Sequence, residues 1–122
     1  MAATTLYTGQ AELVTVSHVD SVSVAIPHAS IDEVRYILEH ENGDTLLKFR
    51  KTAPTDWDAV TTEAGDGVFS FEVQEKHSKD WPAGKVYLTW HINITDADFV
   101  DGYKPMGKTH LFNVEVVNYG GL

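Results

Sequence analysis

Apolar and polar residues alternate through much of this chain, most clearly in its second half. In Gly67-Val68-Phe69-Ser70-Phe71-Glu72-Val73, the residues Phe69, Phe71 and Val73 fall on one side, and Ser70 and Glu72 on the other. Period two is the mark of a half-buried strand. The Pro and Gly of Trp81-Pro82-Ala83-Gly84 predict a turn. The turn leads into Lys85–Ile94, where Val86, Leu88, Trp90, Ile92 and Ile94 share one face and Tyr87, Thr89, His91 and Asn93 the other. Phe112-Asn113-Val114-Glu115-Val116 closes the chain in the same rhythm, and the polar run Glu75–Asp80 is expected to cross one end of the fold with a single helical turn.

The first half follows the same rule. Leu13, Val14 and Val16 within Ala11–Ser17 predict a first strand at a sheet edge. Ser21–Ile26 alternates, so Val22, Val24 and Ile26 are expected to face the core, with Pro27 ending the strand. Val34, Tyr36 and Leu38 line one face of the next run. Glu41-Asn42-Gly43-Asp44 then predicts a two-residue type I′ hairpin turn, since Asn and Gly both tolerate positive φ. That loop sets Leu38 opposite Leu47 and Tyr36 opposite Phe49, pairs that share the apolar face. A short strand is expected around Asp56–Val60.

No long helical pattern interrupts these runs, which predicts an all-β fold. The last three strands follow the order of an immunoglobulin-like sandwich. The expectation is a single immunoglobulin-like antiparallel β-sandwich of about seven strands over residues 1–122, with residues 1–10 as an extended N-terminal arm. A length of 122 residues leaves room for one core and not two.

Charge narrows the partners. Nine Lys and Arg against eighteen Asp and Glu give a net charge of −9, which argues against nucleic acid. Lys48, Arg50 and Lys51 form the tight basic cluster and are expected to decorate one side of a strand. The chain has no cysteine, so its core must hold the fold without disulfides. Its start carries neither a basic n-region nor an apolar h-region, and no apolar run approaches the roughly 20 residues that span a bilayer. Synthesis in a cytoplasm without an export signal, and no membrane partner, are the resulting expectations.

Phe69-Ser70-Phe71, the turn Trp81-Pro82-Ala83-Gly84-Lys85, Ile94-Thr95-Asp96-Ala97-Asp98 and Phe112-Asn113-Val114-Glu115-Val116 together resemble the small Ig-like domains of tailed-bacteriophage virion proteins. Such domains occur as head decorations, tail appendages and baseplate pieces. The resemblance implies a non-enzymatic structural protein of the virion, assembled in the host cytoplasm. It would dock to other virion subunits, capsid or tail proteins, and could form a homo-oligomer in the particle. Exposed aromatics in loops, Trp57, Phe99 and Tyr103, are the expected partner contacts. The N-terminal arm is a further element expected to add a strand to a partner's sheet.

The residues themselves also suggest other chemistry. Asp96, Asp98 and Asp101 suggest calcium, but Val100 takes the fifth loop position and Gly102 the seventh, with no Glu at the twelfth. A solvated hairpin loop is expected there. His18, His28, His40, His77, His91 and His110 form no close-spaced pair. His91 and His110 alone could meet across the last two strands, too few ligands for zinc. No metal or cofactor is expected. Ser17-His18-Val19-Asp20 holds triad letters, yet strand neighbours point to opposite faces. Trp57 between Asp56 and Asp58 suggests the alternative function, a carbohydrate-binding or adhesin-like module for a cell-surface glycan, with Trp81 or Tyr103 as a second stacking surface.

Overall fold

The longest alternating runs make the centre of the fold. In the computed structural model, which describes residues 3–19, 22–52, 55–94 and 106–117, β3 (Ile31–His40) buries Val34, Tyr36 and Leu38. It pairs antiparallel with β4 (Thr45–Arg50) on one side and β8 (Gly84–Ile94) on the other. Strand β9 (Met106–Glu115) continues antiparallel from β8. Two short strands complete this sheet, β1 (Thr4–Tyr7) beside β9 and β5 (Asp58–Ala59) beside β4, in the order β1-β9-β8-β3-β4-β5. The second sheet has the order β2-β7-β6, from β2 (Glu12–Ser17), β6 (Thr61–Thr62) and β7 (Val68–Val73). A helical turn α1 (Glu75–Ser78) crosses from β7 towards β8.

This is an all-β sandwich, and its strand order is the immunoglobulin arrangement with extra strands beyond the central hairpin. The expectation of about seven strands, all antiparallel, is corrected at the edges. There are nine among the described residues, and the outermost pairs β1–β9 and β4–β5 run parallel. Strands of two to four residues are too short to display a periodicity, although β5 does fall within the short strand expected around Asp56–Val60.

The core lies between the sheets. Phe49 stacks on Phe71 (centroids 4.6 Å apart, rings tilted by 25°), and Tyr36 meets Phe71 at 5.5 Å. Val86, Leu88, Ile92 and Ile94 of β8 are buried as their alternation predicts. Trp90 is only half-buried, its indole lying across Gly107 of the neighbouring strand, where a Cβ would fall inside the ring's van der Waals envelope.

The hairpin keeps its predicted register by another route. Leu38 faces Leu47 and Tyr36 faces Phe49, as expected. The turn, however, is not type I′, because among Glu41, Asn42 and Gly43 only Gly43 has positive φ (98°). Gly43 N–H donates to His40 O at 2.9 Å and His40 N–H to Asp44 O at 2.8 Å, making a three-residue loop. The extra residue would slip the register by one, and a bulge between Leu38 and Glu39 restores it. His40 anchors this turn. Its Nδ1 accepts from Asn42 N–H at 3.1 Å, and its Nε2 faces the carbonyls of Pro82 and Ala83 at 3.2 and 3.1 Å.

Two other expectations are corrected. Ser21–Ile26 does not form a core-facing strand, as Val22 and Val24 are exposed and only Ile26 is buried. Ser23 has φ 64°, which breaks the extended backbone that alternation requires, and the contacts of this segment include the Val19–Ala25 bridge and Ile26 N–H to His18 O. Gly67 (φ 72°) makes that crossing feasible, since a Cβ there would lie 2.5 Å from His18 O. The N-terminal arm, expected to reach a partner's sheet, pairs instead within the chain. Leu6 is fully buried opposite Val114, so Thr4–Tyr7 is an edge strand of the chain's own sheet and not a free arm.

Candidate docking face

On the inner side of the larger sheet sit the apolar residues, so the outer side carries the alternate positions of β3, β4, β8 and β9. Register aligns these into rows. Arg50, Arg35 and His91 form one row across β4, β3 and β8. The next row runs Lys48, Ile37, Thr89 and Lys108 across β4, β3, β8 and β9. A third brings together Glu39, Tyr87 and His110. Lys85 lies on the same face of β8, two residues from Tyr87. With neighbouring strands about 4.8 Å apart and rows about 7 Å apart, the first two rows cover roughly 14 by 7 Å.

Aromatic rings are seated among these cations. Lys48 Nζ lies 5.0 Å and the Arg50 guanidinium 5.4 Å from the centroid of Trp57, which is half-buried beside the β4 edge. Lys108 Nζ lies 4.9 Å above Tyr87, whose ring also meets His110 at 5.3 Å. Each of these cation–π contacts contributes about 0.5–1 kcal/mol at exposed sites. Glu33 is largely occupied. Its Oε2 accepts from Arg50 Nη2 at 3.3 Å, and its Oε1 accepts from the backbone N–H groups of Lys51 and Thr52 at 2.9 and 3.2 Å. Arg50 Nε is buried without an acceptor among the described residues. Arg35 is exposed and makes no ion pair among them.

The residues expected to grip a glycan do not converge. Trp57 turns to the outer face under Lys48 and Arg50, whereas Asp58 pairs with Phe49 on the inner side. There Asp58 lines a shallow cleft of about 260 Å³ between the sheet edges, with Phe49, Phe71, Glu72 and His77. Asp56 is exposed in the preceding turn. Phe99 and Tyr103, together with Asp96, Asp98 and Asp101, lie outside the described residues. Of the predicted basic cluster, Lys48 and Arg50 share the outer face as expected, while Lys51 lies past the strand end and its Nζ donates to Ile31 O at 2.8 Å. Arg35, Tyr87 and Lys108 are not singled out by the sequence, and His110 is considered there only as a partner for His91. Alternation marks Tyr87 as outward, but only strand pairing shows what stands beside it.

The histidines are spread through the fold. His91 and His110 stand on different rows and do not meet, and His110 Nε2–H donates to Phe112 O at 3.0 Å. No group of three His, Asp or Glu able to hold a metal occurs among the described residues. Ser17 is exposed and His18 buried, on opposite faces as predicted. His18 Nε2 lies 2.5 Å from the Tyr36 hydroxyl, with the two rings near-parallel. Burial lowers the His18 pKa to about 4 and raises that of Tyr36, so both favour their neutral forms. No family model, curated protein or solved structure matches the chain.

Proposed function

We propose that the chain is a non-enzymatic accessory protein of a tailed-phage particle, docking to a neighbouring capsid or tail subunit through the outer face of its larger sheet. One observation carries the docking part. Acids outnumber bases two to one in this chain, yet Arg35, Lys48, Arg50, Lys85 and Lys108 gather on a single sheet face among aromatic rings. Arg and aromatic residues are enriched where proteins meet, and half-buried side chains held in place lose little entropy on contact. The particle context is supported by the resemblance of Phe69–Val116 to virion Ig-like domains and by the Ig-like strand order. In a symmetric particle, weak contacts of this kind are multiplied by copy number.

Immunogold electron microscopy of particles from the source lysate, with antibody against the purified chain, tests this reading. Label over heads would support a decoration role, and label at one end of the tail an attachment role. Absence of label from every particle would overturn the virion assignment. The glycan alternative lacks a converging Asp56, Trp57 and Asp58. Quenching of tryptophan fluorescence on titration with host polysaccharide would nevertheless replace docking with glycan binding.

A further inference from the structure

We infer that the outer face of the larger sheet receives a carboxylate-rich segment of the partner protein, anchored by Arg35 and Arg50 with Lys48 beside them. This rests on the docking reading above and names the chemistry of the partner's surface. The observation behind it is a like-charge pair. Arg35 and Arg50 are direct register partners, and like charges opposite one another in a sheet are destabilising. A carboxylate at position 35 would pair with Arg50 and stabilise the sheet, and this chain has eighteen acids to draw on. Instead Arg35 is exposed with no ion pair among the described residues, while Arg50, whose Nη2 is bonded to Glu33 Oε2 at 3.3 Å, keeps a buried Nε without an acceptor among them. Lys48 stands two residues from Arg50 on the same face, held over Trp57. Two guanidiniums and an ammonium held side by side suit carboxylates, which guanidinium groups bind bidentately.

Size and seating favour a protein over other polyanions. The basic rows span roughly 14 by 7 Å, the footprint of a few residues of extended chain. A nucleic acid or long polysaccharide would run beyond them across a molecule whose net charge is −9. Trp57 and Tyr87 already carry cations of their own chain, which leaves less ring surface for stacking on bases or sugars.

The test uses the full chain and a fluorescein-labelled decapeptide rich in Asp and Glu, followed by anisotropy at low and physiological salt. A single-stranded DNA and a sulfated polysaccharide serve as competitors. Binding is expected to weaken with salt, and Arg35→Glu or Lys48→Glu should each lower affinity roughly tenfold or more. Because Arg35→Glu replaces a like-charge pair by an opposite one, its melting temperature should equal or exceed that of the parent chain. Loss of binding with the fold intact therefore separates recognition from structure. No binding of the peptide, or binding undiminished in both variants, would overturn the inference. So would tighter binding of the DNA or the polysaccharide. The two readings fail separately. Particles that still carry the Arg35→Glu chain at full occupancy would sink this inference and leave docking standing, whereas peptide binding without particle label would sink the virion role alone.

Discussion

His18 is 5% exposed, packed between Tyr36 and Phe69, and burial holds its pKa near 4 against an ordinary 6.5. Between those two values the unfolded chain holds a proton that the folded chain does not. Stability therefore rises with pH across that window. The contribution is fully present above about pH 6.5 and is lost as pH falls through about 4. At roughly 1.4 kcal/mol per pH unit, the gap amounts to about 3 kcal/mol. For a domain of ordinary stability, about 5–15 kcal/mol, that is a large share. Urea unfolding followed by tryptophan fluorescence between about pH 7.5 and 4 measures it, with His18→Gln as the comparison. The Gln amide can still bond the Tyr36 hydroxyl but cannot titrate. Carboxylates titrate in both proteins, so the difference isolates His18. The stability of the parent relative to the variant should fall by about 3 kcal/mol across this range. Parallel curves, or an NMR titration placing the His18 midpoint near 6.5, would refute the reasoning.

Further predictions concern close approaches of the backbone. Gly43 and Gly67 both have positive φ, but a Cβ at Gly43 meets nothing within 4 Å, whereas one at Gly67 meets two backbone carbonyls. Gly43→Ala should cost about 1 kcal/mol of conformational strain and Gly67→Ala about 3 or more, as read from urea midpoints. Equal costs would show that the crossing of Ile26 over Gly67 does not constrain the fold. Gly107→Ala should displace the Trp90 indole, destabilise the domain by about 1–3 kcal/mol and shift its fluorescence maximum, while an unchanged spectrum would argue against that packing.

Much of the fold is legible in local pattern. The β3–β4 register could be read because Leu38, Leu47, Tyr36 and Phe49 share a face, and burying that face penalises any slip by one residue. That penalty is strong enough to preserve the register although the turn differs from the one Asn42-Gly43 suggests, with a bulge absorbing the difference. The inward faces of β7 and β8 follow from period two for the same reason. The pattern misleads at Val22 and Val24, which are exposed because Ser23 leaves the extended region. It is silent on β6, which is too short to carry a period, whereas β5 falls within the short strand expected around Asp56–Val60 and β1 within the expected extended arm.

What the sequence determines by itself, then, is which residues share a side of each long strand, since side-chain direction depends only on local backbone geometry. Which strands become neighbours depends on contacts between residues far apart in the chain. Arg35 and Arg50, or Tyr87, Lys108 and His110, stand together only after β4, β3, β8 and β9 have paired. The basic face of this acidic chain is therefore a product of tertiary structure. Trp57 illustrates the same division, its position at the sheet edge bringing Lys48 and Arg50 over a ring that the sequence places between two aspartates.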